Sequence, residues 1–244
     1  MTAGVSPAPA VARVLVWRHG RTAWNVSGRF QGQQDPPLVE AGRAEAVLAA
    51  RALAAAGLRA EDTVVVSSDL RRAVDTAAAL TDLLGTRLLL DPRLREHGLG
   101  CWEGLTRAEV AEQFPEQYAD WQANRPVRGR GGEELADVAA RAQAALLDLP
   151  PAATAVVVTH AATAGRLIET LLALGPEHRR IVGPLGNCAW SELVAQGDRW
   201  RLMRHNVSAP GAPDRVVEGA SAPGASGPPA QVTPVRADDA EAAG

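Results

Sequence analysis

Three features of the 244-residue chain predict an α/β fold, a three-layer α/β/α sandwich with a mostly parallel sheet, an antiparallel edge and a small helical cap. Short β-rich runs alternate with longer stretches of helical periodicity, the pattern of a sheet wound with crossover helices. Three of the runs are unbroken Val/Leu segments, as expected for strands covered on both faces. The last two are joined by Gln196-Gly197-Asp198, which fits an antiparallel hairpin at or near the sheet edge.

In chain order, the strands are read at Arg13–Trp17, Thr63–Ser67, Arg87–Leu90 and Ala155–Thr159, followed by Ala189–Ala195 and Arg199–Arg204. Helical patterns fill about 40–56, 70–84, 106–122, 133–148 and 161–174. Gly57 and Gly85 stand where C-caps belong, because a residue without Cβ enters the left-handed region freely. One catalytic domain is expected over 13–206, with no internal repeat and no dividing linker. Residues 1–12 and 207–244 read as unstructured flanks. The second holds 10 Ala, 6 Pro, 5 Gly and 3 Ser among 38 residues, with no Leu, Ile or aromatic residue. Such a segment buries too little apolar surface to offset its ordering entropy.

Composition removes several classes of function. The net charge is −3, so no global basic field exists to hold nucleic acid or an anionic membrane. All 25 basic residues are arginine, which excludes a Schiff-base lysine, a Walker-type phosphate loop and a protein-kinase lysine. Cys101 and Cys188 are too few for a disulfide scaffold or a thiolate metal site and read as packing thiols. No apolar run approaches the roughly 18 residues that span a bilayer. The first twenty residues lack a charged region followed by a long apolar one, so a cytoplasmic protein is expected.

In open α/β sheets, ligands bind beyond the carboxyl ends of the strands. The first strand runs into Arg18-His19-Gly20-Arg21-Thr22 and the second into Ser67-Ser68-Asp69-Leu70-Arg71-Arg72. The third is followed by Arg95-Glu96-His97, and the fourth ends at Thr159-His160-Ala161. Two histidines, several arginines and a glutamate therefore converge on one rim and predict an anion site. Ser67, Ser68 and Asp69 read as helix N-caps without a catalytic role.

These residues also carry a resemblance. Arg18-His19-Gly20-Arg21-Thr22-Ala23-Trp24-Asn25 resembles the R-H-G-x-[ST]-x-x-N signature of the histidine phosphatase superfamily, which includes phosphoglycerate mutases. Ser68-Asp69-Leu70-Arg71-Arg72-Ala73-Val74-Asp75-Thr76-Ala77 is similar to its second block, and Leu94-Arg95-Glu96 through Gly100-Cys101-Trp102-Glu103-Gly104 to its third. Val156-Val157-Val158-Thr159-His160 resembles the strand leading to its second histidine. The four blocks stand in family order. Further segments, among them Arg29-Phe30-Gln31-Gly32, Gly131-Gly132-Glu133 and Gly186-Asn187-Cys188-Ala189-Trp190, are similar to the glucosyl-3-phosphoglycerate phosphatases of high-G+C bacteria. Two positions depart from the pattern. Arg21 stands where Glu or Gln is commoner, and Arg166 follows His160 by six residues instead of five, so it reads as a helix-surface residue.

The resemblance implies a phosphomonoester hydrolase, metal-independent and without a cofactor, acting on a small phosphorylated metabolite. His19 would attack phosphorus and become a phosphohistidine, which requires its attacking nitrogen to be unprotonated. Arg18 and Arg72 would clamp the phosphoryl oxygens with their planar forks. Asn25 and His160 would complete the cradle, and Glu96 would act as general acid and then general base. Arg21, Gln31 and Gly32 are further substrate-binding candidates, and Arg125, Arg128 and Arg130 are candidates for reading a substrate carboxylate. Only 63 residues separate Glu96 from His160, a small cap that leaves room for water and favours hydrolysis over phosphoryl transfer to a second hydroxyl. The alternatives are a 2,3-bisphosphoglycerate-dependent mutase and a non-catalytic module that binds a phosphorylated partner. Trp190 and the edge hairpin are candidate contacts of a homodimer.

Overall fold

The computed structural model describes residues 10–123, 125–175, 178 and 181–211; the remainder of the expected flanks, 1–9 and 212–244, lies outside the described residues. In chain order the elements are β1 (Val11–Arg18), α1 (Ala23–Val26), α2 (Glu40–Ala55), β2 (Thr63–Ser67), α3 (Arg71–Leu84) and β3 (Leu88–Leu90). Then come α4 (Arg107–Gln113), α5 (Pro115–Gln122), α6 (Leu135–Leu147), β4 (Ala152–Thr159), α7 (Ala161–Leu171), β5 (Trp190–Gln196) and β6 (Arg199–Val207). The strands form one sheet in the order β3-β2-β4-β1-β5-β6. β1 through β4 are mutually parallel, whereas β5 runs antiparallel to β1 and β6 antiparallel to β5. The mixed α/β architecture and the antiparallel edge are as the sequence predicts.

Successive side chains on a strand point to opposite faces, so each central strand feeds two cores. Val14 and Val16 of β1, with Ala155 and Val157 of β4, pack against Leu146 of α6 and Leu167 and Ile168 of α7. Leu15 and Trp17, with Val156 and Val158, pack on the other face against Ala49 and Leu53 of α2 and Ala77 and Leu80 of α3. This double coverage is the reason for the unbroken Val runs. It also makes β1 and β4 central neighbours in register, Arg18 opposite Thr159. The residues after them, His19 and His160, therefore emerge side by side.

Several boundaries differ from the sequence reading, each for a local reason. Val11 pairs with Ala152 and Thr63 with Thr154, so tertiary pairing extends β1 and β4 through Ala12, Ala152 and Ala153, residues of weak strand preference. β6 continues to Val207, which pairs with Trp190. The single helix expected over 106–122 is two helices, because Pro115 has no N–H to donate and drives Phe114 out of helical geometry, to φ −135° and ψ 57°. α1 was not foreseen. It is one turn held by a reciprocal cap, in which the Thr22 hydroxyl accepts from the Asn25 N–H and Asn25 Oδ1 accepts from the Thr22 N–H. Gly85 does end α3 in the left-handed region at φ 68°. Trp190 is buried in the second core and so is not a surface contact for a dimer, while Cys101 is exposed and only Cys188 packs inside.

The turn after β1 lies against α2 with no side chain between them. A Cβ at Gly20 would meet the Gly42 carbonyl, and one at Gly42 would run into the Arg21 backbone. Gly42→Ala is therefore expected to lower stability by about 1–3 kcal/mol, the usual range for overpacking. Thermal unfolding should show this as a fall in Tm of roughly 2–4 °C per kcal/mol for a domain of this size. An unchanged Tm would show that the two backbones are not in contact.

Candidate active site

The floor of the site is backbone. The His19 N–H donates to Thr159 O at 2.9 Å and the Arg18 N–H to Ala189 O at 3.0 Å, fixing the end of β1 against both neighbouring strands. The His19 side chain is buried, and its Nδ1–H donates to the Gly20 carbonyl at 2.7 Å. That bond leaves the proton on Nδ1 and the lone pair on Nε2. Burial, then the Arg72 and Arg18 guanidiniums, hold the imidazole pKa well below its ordinary value, against an opposing contribution from the Gly20 bond. His19 is thus a neutral imidazole with a defined nucleophilic nitrogen.

His160 lies beside it, with ring centroids 5.0 Å apart. It too is fully buried with a lowered pKa, from burial first and then Arg72, His19 and Arg18. Its Nε2 is 2.9 Å from Ser68 Oγ, and its Nδ1 is buried without a protein partner among the described residues.

Both arginines are anchored by loop carbonyls. Arg18 Nη1 donates to Leu185 O at 2.7 Å. Arg72 donates from Nη1 to Gln34 O at 2.5 Å and from Nη2 to Gly32 O at 2.9 Å. Its Nε is buried with no protein partner among the described residues, and burial lowers its pKa to about 10. Glu103 braces the same loop from the other side, accepting from the Gln33 N–H at 3.1 Å and the Leu99 N–H at 2.9 Å. Gly32 thus enters the site as a carbonyl on Arg72. Gln31 enters through Oε1, 3.1 Å from the Thr22 hydroxyl.

Glu96 is seated at the start of α7. Its Oε1 accepts from the His97 N–H at 2.9 Å and the Thr163 N–H at 3.1 Å. Among the described residues Oε2 accepts only from the Ala162 N–H, at 3.2 Å. Oε2 is therefore the oxygen with room to exchange a proton. The loop carrying Glu96 is gripped by Arg141 of α6, which donates to the carbonyls of Arg93 and Arg95 at 2.6 Å and of Glu96 at 3.0 Å. Arg141 is held in turn by Glu133 at 2.7 Å. Burial raises the Glu133 pKa, but the bonds from Arg141 and the Gly98 N–H outweigh it and hold the carboxyl low.

The structure therefore sets His19 and His160 side by side within the charges of Arg18 and Arg72, with the Gln31–Gly32 loop held by Arg72 and Thr22 and Glu96 seated at the start of α7. Asn25 joins them through Oδ1, which accepts from Thr22 and, at 3.2 Å, from Asn187 Nδ2. Other candidates are engaged elsewhere. Arg21 lies 2.8 Å from Glu45 of α2, whose own pKa burial raises, so it is an inter-element ion pair instead of a substrate contact. Arg125 pairs with Asp120, and Arg128 is exposed. Arg130 is buried over the Trp102 ring, 5.2 Å from its centroid. Arg166 is partly buried and pairs with Glu169 at 2.6 Å. Ser67, Ser68 and Asp69 do not cap α3: its N-cap is Leu70, Ser68 faces His160, and Asp69 pairs with Arg95 at 2.6 Å.

Three contributors escape the sequence reading. Arg141 had a visible signal, since it falls between the buried Val138 and Ala142 on the apolar stripe of α6, where an arginine needs partners. Asn187 bridges the carbonyls of His19 and Gly20 at 3.1 and 3.3 Å from a loop with no periodicity. Glu103 looks like an ordinary turn residue. Among the described residues no group of three or more His, Cys, Asp or Glu side chains could hold a metal ion, and no helix is long and apolar enough to cross a membrane.

A model of the histidine phosphatase superfamily (branch 1) matches residues 14–208. The chain belongs to this superfamily. Among curated histidine phosphatase relatives, the glucosyl-3-phosphoglycerate phosphatase of Mycolicibacterium vanbaalenii is 37% identical over 220 residues, covering 82% of this chain and 96% of that protein. The probable phosphoglycerate mutase GpmB of Yersinia enterocolitica is 36% identical over 194 residues, covering 77% and 87%. A mycobacterial glucosyl-3-phosphoglycerate phosphatase solved in complex with VO3 superposes with a TM-score of 0.72 at 37% identity, covering 81% of this chain and all of that one.

The two buried imidazoles make stability depend on pH with a definite sign. Their folded pKa lies below the unfolded value of about 6.5, so the unfolded chain takes up protons that the folded chain refuses. Stability is complete above that value and declines as pH falls through it, by up to about 1.4 kcal/mol per pH unit for each group. Thermal scans from pH 8 to 5.5 should show Tm falling on the acid side, and a His19→Gln/His160→Gln double variant should flatten the slope. Equal slopes would mean that the histidines are not held neutral.

Proposed function

We propose that this histidine phosphatase hydrolyses a small phosphomonoester through a phosphohistidine at His19. One observation carries the reading: the Nδ1–H to Gly20 bond, in a buried cationic setting, leaves Nε2 as a lone pair beside two guanidiniums. Nε2 attacks phosphorus as the bond to the substrate oxygen breaks. Arg18 and Arg72 neutralise the phosphoryl oxygens and the neutral His160 donates to them, a preorganised array that needs no rearrangement as charge develops. Glu96, through Oε2, gives its proton to the leaving alkoxide. In the second half Glu96 takes a proton from water, the hydroxide attacks phosphorus, and the P–N bond breaks to restore neutral His19.

The mycobacterial relatives support glucosyl-3-phosphoglycerate, or a similar sugar-acid phosphate, as substrate. Such a metabolite fits a cytoplasmic enzyme whose catalytic domain spans 13–206. The match to proteins named as probable mutases keeps phosphoryl transfer to a second hydroxyl as an alternative. The two separate cleanly, since a mutase needs 2,3-bisphosphoglycerate priming and yields isomer, whereas a hydrolase yields free phosphate.

Two experiments test the chemistry. His19→Ala should lose several orders of magnitude in phosphate release, and denatured wild-type enzyme quenched with labelled substrate should carry acid-labile label on His19. Retained turnover would remove the nucleophile, and retained substrate affinity without any wild-type turnover would identify a binding module. For Glu96→Gln, kcat should fall by about 10²–10⁴ on an alkyl phosphate, the range for a general acid, but far less on 4-nitrophenyl phosphate, whose leaving group needs no proton. Equal losses on both substrates would exclude the acid role.

A further inference from the structure

We infer that Ser68 is a positioning residue that fixes the tautomer of His160, so that the imidazole presents Nδ1–H to the phosphoryl oxygens. The inference deepens the phosphohistidine reading and rests on it for its purpose. The geometry comes from the sheet. β2 lies beside β4 with Ser67 opposite Val158, so Ser68, the residue after β2, and His160, the residue after β4, leave the same rim together. The Ser68 N–H donates to Val158 O at 3.0 Å, which seats the serine backbone on the strand that delivers the histidine.

Proton accounting then decides the direction of the contact. Ser68 Oγ accepts from the Leu70 N–H at 3.2 Å, so one of its lone pairs is occupied and its single proton is still to be placed. The acceptor it reaches is His160 Nε2, at 2.9 Å. If Nε2 accepts, the ring proton is on Nδ1. The opposite tautomer would leave a bare Nδ1 lone pair buried in need of a donor, and the donors that His160 would reach as the N-cap of α7 are the second and third N–H groups of that helix. Those are the Ala162 and Thr163 N–H groups, and Glu96 holds both. Nδ1 is indeed buried without a protein partner among the described residues. A donor left unused in a cationic pocket has an oxyanion as its natural complement. Glu96 thus contributes twice: by occupying the start of α7 it also denies His160 the capping bond that would turn Nδ1 into an acceptor.

The tautomer can be read without turnover. In uniformly ¹⁵N-labelled protein at pH 7.5, a two-bond ¹H–¹⁵N correlation spectrum, with His160 assigned by the peak missing in His160→Gln, should show Nδ1 protonated and Nε2 unprotonated. Ser68→Ala should shift His160 toward the Nε2–H form and reduce kcat roughly 10–100-fold, the range for partners that orient a metal-bound imidazole. Ser68→Thr should restore the tautomer and most of the rate. A protonated Nε2 in the wild-type protein, or Ser68→Ala with an unchanged spectrum or unchanged kcat, overturns the inference. If the spectra behave as expected but no phosphomonoester is hydrolysed and no label reaches His19, the hydrolase reading fails while the Ser68 assignment stands.

Discussion

The His19 side chain donates its Nδ1 proton to the carbonyl of its own successor, Gly20, and much of the surrounding structure serves to keep that carbonyl where it is. Asn187 donates to the same oxygen, and the Gly20 N–H is held by Thr76 Oγ1 at 2.9 Å. The loop carrying Asn187 is tied to β6 by the Gly186 N–H bond to Asn206 Oδ1. A peptide carbonyl neither titrates nor rotates freely, so it makes a more constant anchor for a nucleophilic imidazole than a carboxylate would. A carboxylate would also raise the imidazole pKa, working against the neutral form that burial and the two arginines enforce.

The guanidiniums have two jobs. Arg72 gathers the Gly32 and Gln34 carbonyls, and Arg18 gathers Leu185, so each guanidinium near the two imidazoles is also a strut of its neighbouring loop. An ammonium has three donors around one point and could not fan out in this way, whereas a planar fork can hold a carbonyl on one edge and leave another edge for ligand. A chain that builds its basic set from arginine alone is suited to this construction. The loop of Glu96 is assembled by the same rule, with Arg141 collecting the carbonyls of Arg93, Arg95 and Glu96.

Much of this was legible in the sequence, and the limits were physical. Continuous Val runs announced strands covered on both sides, and the residues following them pointed to one rim, where His19 and His160 do lie side by side. Strand ends were misjudged where register overrides composition, as at Ala152–Thr154. The break between α4 and α5 needed only the steric rule for the residue before Pro115. Arg21 was misassigned because adjacency in sequence to a nucleophile says nothing about direction: its side chain leaves toward Glu45. Ser68 was read as a cap because serine after a strand usually is one; only the pairing of β2 with β4 reveals what its hydroxyl faces. Asn187 was beyond reach, since a residue far along the chain meets His19 only through the antiparallel return of β5.

The touching backbones of Gly20 and Gly42 have a consequence for how such a chain can vary. Neither position can acquire a side chain while the facing segment stays in place, because a Cβ on Gly20 would meet the Gly42 carbonyl and one on Gly42 the backbone of Arg21. A helix and the turn after β1 are thereby locked into a shared inheritance: drift in α2 must go around its glycine, and any lineage that loses that glycine must first open a gap beneath the turn that carries His19.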